Sequence, residues 1–538
     1  MRLAATFRSG LRSKRLHCAV ASCLFAAILR AQSACAGCPD GAVARSHAVA
    51  GRTSTNGAAA TDPEIKSLIN DADGVPPEFK ADILLGLAES GKISDQRLRK
   101  TLVNKAFTAA ASVEPEYGEG VFGVVGETRT GRKAIALQAT QLDRMSLQSR
   151  AVRDMQMLDP ARARALFEQL RFPVLEPLGC DNDWLYDPSN FYNALAEVLN
   201  NDFRSDEVAT GKRLAFLMPF VSHMESQSQV IPVAHLLAAS KLTADELRQL
   251  LSAYEEALAT VPQDQLTFAE IADDGGEYVR SVYGESSLSD TMLALEAVLK
   301  KSGAPVGPLL RSLRGYLVQN FNGPRCDTTK DGQGTKQGAL PAAVASFNQE
   351  FGPQLLQNGL TPIHADELSK SAVVKSAAFD PPPLSYDSHQ LTIAIQQLHT
   401  SRDQLTRGGK VDPSWWAELD SFLSRFYSWQ QGDEAEVDYL HEKAQFYTAL
   451  LRLIPESPQW NNVLENFVRF MEQHSYQNVG GAEWFVYAKV LLGSMHAADS
   501  HDEVLNAFLG SRDPVLSLYA RMEVWRAKPP AAVRASTH

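Results

Sequence analysis

The stretch PPEFKADILLGLAES, residues 76–90, decides the fold class. Phe79, Ile83, Leu84 and Leu87 recur at steps of three and four positions, which is the spacing of side chains on one face of an α-helix. Hydrophobic residues recur in the same way in DQRLRKTLVNKAF and in SLQSRAVRDMQML further along the chain. The pattern predicts a series of helices, each with one buried face.

Helix start signals occur throughout the body of the chain. An aspartate caps free backbone amides, and a proline fits the first helical position, where its missing N–H costs nothing. Thr243 and Glu246 also have the spacing of a capping box. The Asp-Pro pairs begin at Asp62, Asp159, Asp187, Asp412 and Asp513.

Medium-length helices without alternating strand patterns predict an all-α fold. Stacked helix pairs are the usual way to bury many such helices without a sheet, so we expect an irregular α-solenoid-like array with almost no strand. No fixed repeat length recurs in the sequence, and the tetratricopeptide pattern does not repeat in register.

Residues 1–36 have the features of a secretory signal peptide. A basic segment precedes the apolar run CAVASCLFAAIL, and Ala34-Cys35-Ala36 offers a cleavage site. Twelve apolar residues are too few to span a bilayer, which takes about 20. We therefore expect a protein in the periplasm or outside the cell, with no transmembrane span once the leader is removed. Retention of the leader as an anchor, or as a helix of the fold, is the alternative.

The composition predicts the remaining boundaries. Two breaks, the polar stretch CDTTKDGQGTKQG and the proline run in DPPPLSYDS, set off the last third, where six of the seven tryptophans lie. The predicted segments are a disordered linker at 37–61, an N-terminal helical array at 62–325, a polar and proline-rich connector with short helices at 326–388, a tryptophan-rich helical domain at 389–528 and a disordered tail at 529–538.

The charge excludes one class of partner. The chain has a net charge of −11, and residues 1–36 hold six of its 52 basic side chains and no acidic one. Removing those six leaves 46 basic residues against 63 acidic ones, a net charge of −17. Such a body repels phosphate backbones, so we expect no nucleic-acid partner.

Two of the six cysteines, Cys180 and Cys326, lie outside the leader region, and both stand in loop-like sequence. In an oxidising compartment such a pair can form a disulfide that closes a long loop. Two unrelated free thiols are the alternative.

The sequence assembles no recognisable catalytic, cofactor or metal site. Gly118, Gly120 and Gly123 resemble a kinase phosphate loop, but the strand lysine and the other kinase motifs are missing, and a loop between helices is the simpler interpretation. The histidines lack metal-ligand spacing, and residues 327–338 lack the acidic ligands of a calcium loop. We therefore predict no catalytic, cofactor-binding or metal-binding residues.

The last third is the best lead to a binding surface. WWAELDSFLSRFYSW and EWFVYAKVLL place aromatic residues at helical spacing. Such residues mostly form the core between helices. The alternative is an aromatic groove that receives a peptide, a glycan or a partner helix.

DPARARALFEQL, LGCDNDWLYDPSNFYNAL and GPRCD resemble segments of a group of exported bacterial helical proteins with no assigned activity. The similarity covers most of residues 75–525. The resemblance implies a helical fold and a Cys180–Cys326 disulfide, and it brings no catalytic residues.

The sequence thus favours an exported, non-enzymatic helical scaffold or binding protein, whose partner is a protein or an envelope polymer. One alternative is a cell-envelope enzyme, a carboxylate-based hydrolase or lyase acting on glycans. A buried, close pair of acids with raised pKa would favour that enzyme. The other alternative is a structural component of the envelope.

Overall fold

The structure is a computed structural model of the chain. It describes residues 62–114, 133, 136–138, 140–172, 175, 177–180, 185–272, 288–326, 340–368, 373–374, 386–407, 410–432, 436–474, 485–486, 488–489, 491 and 501–528. The predicted leader, linker and tail lie outside these residues.

The described residues divide by their contacts into two compact units. Unit 1 comprises residues 1–376 and 518–538, and unit 2 comprises residues 377–517. The C-terminal segment therefore belongs with the N-terminal part of the chain.

The described helices of unit 1 are α1 (Pro63–Ala72), α2 (Pro77–Glu89), α3 (Gln96–Ala110), α4 (Arg144–Gln156), α5 (Pro160–Phe167), α6 (Ser189–Asn201), α7 (Ser205–Ala209), α8 (Lys212–Ser222), α9 (Val230–Ala239), α10 (Ala244–Thr260), α11 (Gln265–Ala272), α12 (Leu288–Ser302), α13 (Gly307–Asn322) and α14 (Ala342–Gln357). Those of unit 2 are α15 (Tyr386–Leu405), α16 (Pro413–Ser428), α17 (Glu436–Leu453), α18 (Pro458–Gln473) and α19 (His501–Leu509). The last helix, α20 (Pro514–Ala527), starts in unit 2, and its residues from Leu518 on belong to unit 1. Short 3₁₀ turns lie at Gln227–Gln229 and Ala365–Glu367.

Strand is almost absent from the described residues. β1 (Arg325–Cys326) pairs in parallel with β2 (Val373–Val374), and β3 (Thr406–Arg407) pairs antiparallel with β4 (Lys410–Val411). Each strand is two residues long, so the prediction of an all-α fold is confirmed.

The predicted start signals work as capping chemistry dictates. The carboxylates of Asp62, Asp159 and Asp412 cap α1, α5 and α16, each with a proline in the first turn. Thr243 and Glu246 form the capping box of α10. Local sequence alone therefore sets these helix starts.

The helices of unit 1 pack mostly against helices close to them in sequence. α2, α3 and α4 contact one another, α4 packs on α5 and α6, and α9 packs on α6, α10 and α12. Such neighbour-to-neighbour packing is typical of helical arrays.

One helix departs from the one-sided burial that the sequence predicts. The stripe of Phe79, Ile83, Leu84 and Leu87 is buried, but the side chains between them are buried as well, including Asp82. The reason is that α2 is covered by more than its neighbours α1, α3 and α4. The helix α20 packs on it as well, with the ring of Tyr519 edge-on to Phe79.

Candidate functional site

A disulfide joins Cys180 to Cys326, with a distance of 5.3 Å between their Cα atoms. Both cysteines are buried, and Ala269 and Leu266 of α11 pack against them. Cys326 stands on β1, so the bridge ties this short strand to the loop before α6. It closes a loop of 146 residues within unit 1.

Three carboxylates surround one guanidinium between α2, α4 and α20. Arg150 of α4 donates to Asp82 over 2.5 Å and to Glu89 over 2.6 Å, both on α2, and makes a second hydrogen bond to Glu89. Tyr519 of α20 donates its hydroxyl to the other oxygen of Asp82. The third carboxylate is Asp154, one helical turn after Arg150. We call these five residues the Arg150 cluster.

The elements explain how the Arg150 cluster assembles. Asp82 and Glu89 are seven residues apart, as are side chains two turns along one helix face. Arg150 and Asp154 are four apart on α4 and share a face in the same way. Because α2 is surrounded by other helices, the side chain of Asp82 is only 8% exposed.

Asp154 differs from the other two carboxylates of the cluster. Its pKa is raised to about 8: burial is the largest cause, the charge of Glu89 also raises the pKa, and the charges of Arg150 and Arg153 oppose the increase. At neutral pH a carboxyl group with this pKa keeps its proton. A neutral acid next to a carboxylate is the arrangement that general acid–base chemistry uses.

A second feature of unit 1 is a helix that has apolar side chains on its solvent side as well as in its core. On α8, Ala215 and Pro219 are exposed, and Leu214 and Met218 are half-buried. The stretch 214–222, LAFLMPFVS, has no charged residue. We call the side formed by Leu214, Ala215, Met218 and Pro219 the α8 face.

The buried side of α8 carries Leu217 and Val221 and, beside them, one charged residue. Arg213 is buried and donates Nε to Glu246 of α10 over 2.9 Å. Burial alone would raise the pKa of Glu246, but hydrogen bonds from Arg213 and Thr243 lower it below its usual value. The pair is satisfied where it lies, so the apolar side of α8 is the one left to solvent.

Phenylalanine rings extend the α8 face at its edge. Phe216 and Phe220 of α8 are half-buried, and their ring centroids lie 5.9 Å apart. Phe203, also half-buried, lies 5.5 Å from Phe216, and the guanidinium of Arg164 lies over its ring at 4.1 Å. Aromatic residues with one side accessible are enriched at protein interfaces.

Most of the described aromatic residues of unit 2 form core. Trp415 and Trp460 are buried, and their indole N–H groups donate to the backbone carbonyls of Leu398 and Leu451. Trp429 is also buried. In the described residues of unit 2, these tryptophans fill the interior, as the simpler interpretation of the sequence had it.

One lysine lies inside this aromatic core. Lys443 donates Nζ to the carbonyl of Trp429 over 2.7 Å and to the hydroxyl of Tyr439 over 2.6 Å. Its ammonium also lies 5.0 to 5.9 Å from the ring centroids of Tyr439, Trp429 and Phe426. Burial lowers the pKa of Lys443 to about 8.

The remaining sequence patterns do not identify a site in the described part of the chain. The glycines at 118–123 and the calcium-like stretch 327–338 lie outside the described residues. Within the described part of the chain, no three His, Cys, Asp or Glu side chains are grouped closely enough to hold a metal ion. None of the helices described here is both long and apolar enough to cross a bilayer.

Comparison with models of protein families, with curated proteins and with solved structures finds no match to the chain. The family relationship therefore stays at the resemblance seen in the sequence, and the function has to be argued from the chain's own residues.

Sequence reasoning missed both the Arg150 cluster and the α8 face. The four-residue spacing of Arg150 and Asp154 is visible in the sequence, but such pairs are common on exposed helices. The nine uncharged residues 214–222 are a better signal, because a proline lies in the middle of them. An uncharged, mostly apolar run nevertheless predicts a core helix, and the sequence does not show which of its side chains face solvent.

Proposed function

We propose that the protein is an exported, non-enzymatic binding protein whose partner docks on the α8 face. The observation that supports this is the solvent side of α8, where Ala215 and Pro219 are exposed and Leu214 and Met218 are half-buried, with no charged side chain among them. Exposing apolar surface has a free-energy cost that a binding partner removes.

The chemistry of the face favours a protein partner over a polymer of sugars. Methionine, leucine and half-exposed phenylalanine side chains offer dispersion contacts and few hydrogen bonds. A helix or strand of a partner protein with apolar side chains suits such a surface. The periplasm or the exterior of the cell, expected from the leader, is the compartment where we propose that this partner is met.

The test is a pull-down from envelope extract with the mature wild-type chain and a Met218→Glu variant. A carboxylate on the α8 face has to be desolvated on binding, so we expect the variant to lose partners that the wild type retains reproducibly. Leu356→Glu is the matched control, because Leu356 is 65% exposed on α14 and lies outside the face. Equal retention by all three chains, or no reproducible partner at all, would count against the proposal.

A second candidate function rests on Asp154 and Glu89. A protonated acid beside a carboxylate favours a carboxylate-based enzyme acting on glycans. Against it, Arg150 holds Glu89 through two hydrogen bonds and links it to Asp82, an arrangement that also serves to join α2 to α4.

A glycan-cleavage assay separates the two candidates. Asp154→Asn keeps the shape of the side chain but cannot transfer the proton. If wild-type protein releases reducing ends or unsaturated sugars from cell-wall glycan and Asp154→Asn does not, the enzyme is favoured. If neither protein releases them, the binding protein is.

A further inference from the structure

Positive charge is concentrated on two neighbouring helices of unit 1. In a chain with a net charge of −11, α3 and α5 together hold six basic side chains and no acidic one. Side-chain hydrogen bonds hold the two helices next to each other. Arg162 of α5 donates Nε and Nη2 to Oδ1 of Asn104 on α3, over 3.0 and 2.8 Å. Lys100 of α3 donates to Asp159, the residue that caps α5, over 2.9 Å.

Three of these cations meet solvent without a partner. Arg97, Lys105 and Arg162 are exposed, and none of them forms an ion pair with a residue that the structure describes. The acids at the starts of the two helices are engaged elsewhere, since the carboxylates of Asp95 and Asp159 cap α3 and α5. We call Arg97, Lys105 and Arg162 the basic face. Unpaired positive charges at a surface attract anions.

An apolar side chain protrudes next to these helices. Met157 lies in the short link between α4 and α5, two residues before Asp159, and is 83% exposed. No other large hydrophobic residue that the structure describes is as exposed. Pro160 and Ala161, at the start of α5, are exposed as well. Because Met157 makes so few contacts within the chain, an apolar medium around it would lower the free energy.

We propose that the basic face and Met157 together dock the protein on the surface of an anionic phospholipid bilayer. Lysine and arginine side chains close to such a surface are attracted to its charged headgroups. An apolar side chain beside them enters the boundary between headgroups and acyl chains. The protein then lies on the bilayer without crossing it. This proposal does not depend on the partner proposed for the α8 face.

A bilayer suits these residues better than an acidic protein does. A protein partner has to supply a pocket shaped for Met157 in addition to its carboxylates, whereas a bilayer receives an isolated apolar side chain anywhere on its surface. The cations are also spread out, because Arg97 and Lys105 lie about 12 Å apart along α3 at 1.5 Å per residue, and Arg162 stands on another helix. Charges spread in this way match a continuous layer of phosphates.

The experiment is co-sedimentation of the mature chain, residues 37–538, with lipid vesicles. The predicted leader is left out because its basic and apolar residues would bind lipid by themselves. We expect the chain to sediment with vesicles of phosphatidylglycerol and phosphatidylethanolamine at low ionic strength, and not with vesicles of phosphatidylcholine. About 0.5 M salt should release it, because salt screens exposed charges.

A charge variant tests the basic face. Arg97→Gln combined with Lys105→Gln and Arg162→Gln should weaken binding about 100-fold, since each cation close to an anionic surface contributes about fivefold. The matched control should bind as wild type, because it changes the net charge equally but at other places on unit 1. It replaces three exposed basic residues by glutamine, namely Lys241, Arg248 and Lys301.

Met157 is tested by substitution and by oxidation. Met157→Asn should weaken binding about tenfold, because it removes the apolar side chain that is buried on docking. Leu356→Asn is the control, since it removes the other exposed large hydrophobic side chain. Oxidation of wild-type Met157 by hydrogen peroxide, followed by mass spectrometry, needs no variant. The sulfoxide should form more slowly with the anionic vesicles than with phosphatidylcholine.

Four results would overturn the proposal. They are failure of the wild type to bind anionic vesicles, equal binding to phosphatidylcholine, equal loss in the charge variant and its control, and unchanged oxidation of Met157 in the bound protein. Retention of the wild type on poly-glutamate without binding to vesicles would assign the basic face to an acidic protein instead. None of these results bears on the pull-down at the α8 face, so the two proposals fail separately.

Discussion

Asp154 in unit 1 and Lys443 in unit 2 are both ionisable groups held away from water, but their surroundings are opposite. Asp154 lies among charges, next to Glu89 and Arg150. Lys443 lies among aromatic rings, and its ammonium donates to a carbonyl and to a phenol oxygen. Burial favours the neutral form in both, raising the pKa of the acid and lowering that of the base, each to about 8.

The comparison shows two ways of holding helices together. In unit 1, charged pairs and a disulfide join parts of the chain that are distant in sequence. Arg521 donates to Asp71 over 2.5 Å, and Lys528 pairs with Glu64 over 2.6 Å. Unit 2 relies on interlocking rings, as where Phe426 meets Tyr447 at 4.8 Å. The two units should therefore respond differently to substitution.

The largest effect should come from removing the disulfide. Both of its cysteines lie in unit 1. Residues 377–517 contain no cysteine. Closing a loop of 146 residues stabilises a fold by about 5 kcal/mol in the chain-entropy treatment. We expect the double variant Cys180→Ala with Cys326→Ala to lose that much in unit 1, as measured by urea unfolding.

Tryptophan fluorescence makes this test specific. Five of the seven tryptophans, Trp415, Trp416, Trp429, Trp460 and Trp484, belong to unit 2, so most of the fluorescence signal comes from that unit. The fluorescence transition should therefore keep its midpoint while the loss of helical circular dichroism begins at lower urea. Free thiols at both cysteines of the native wild type would contradict the premise.

The second effect concerns the arginine of the Arg150 cluster. Arg150→Met leaves the buried carboxylate of Asp82 without its cation, and removing one partner of a buried ion pair costs about 3–5 kcal/mol. The matched control is Arg153→Met on the same helix, since Arg153 pairs with Glu197 at the surface, where ion pairs contribute about 0–1 kcal/mol. Equal urea midpoints for the two variants would show that Arg150 contributes no more to stability than an exposed arginine does.

The third effect tests the aromatic core of unit 2 through two adjacent residues. Trp415 is fully buried and donates to the carbonyl of Leu398, whereas Trp416 is half-buried. Trp415→Ala should lose about 3–5 kcal/mol, and Trp416→Ala clearly less. The check is thermal unfolding followed by circular dichroism, and a reversed order would place the core on the wrong face of α16.

The features that could be predicted from the sequence are those that local chemistry controls. Asp62, Asp159 and Asp412 start helices because a carboxylate and a following proline suit the first turn wherever they occur. The all-α fold followed from the same periodic and capping signals. The structure contains the disulfide between Cys180 and Cys326. The sequence by itself allowed either this bridge or two free thiols.

The candidate sites depend on contacts that no local pattern encodes. Asp82 is bonded to Tyr519, 437 positions away in sequence, and only that packing explains why an aspartate is buried on α2. The α8 face could not be predicted for a different reason: apolar residues predict core, and the sequence does not show that Leu217 and Val221 are buried while Leu214 and Met218 are partly exposed. Predicting either required knowing which helices become neighbours.

The smallest effect, and the sharpest contrast with Asp154, is the pH dependence of Lys443. Its pKa is about 8 in the folded chain against 10.5 ordinarily, so the unfolded chain binds the extra proton between these values. Stability of unit 2 should rise by about 1 kcal/mol as pH increases through this window, opposite in sign to the effect of Asp154. Tryptophan fluorescence during urea unfolding at about pH 7 and about pH 10 measures it.

Two substitutions at Lys443 identify the source of that pH dependence. Lys443→Met removes the charge and leaves the carbonyl of Trp429 its hydrogen bond from Tyr439, so we expect stability at neutral pH to equal or exceed that of wild type. Lys443→Arg keeps a charge at every pH and should be less stable. Both should lose the rise above neutral pH, since neither side chain titrates there. A rise that persists in both variants would assign the effect to another group and would leave the aromatic surroundings of Lys443 without influence on its proton.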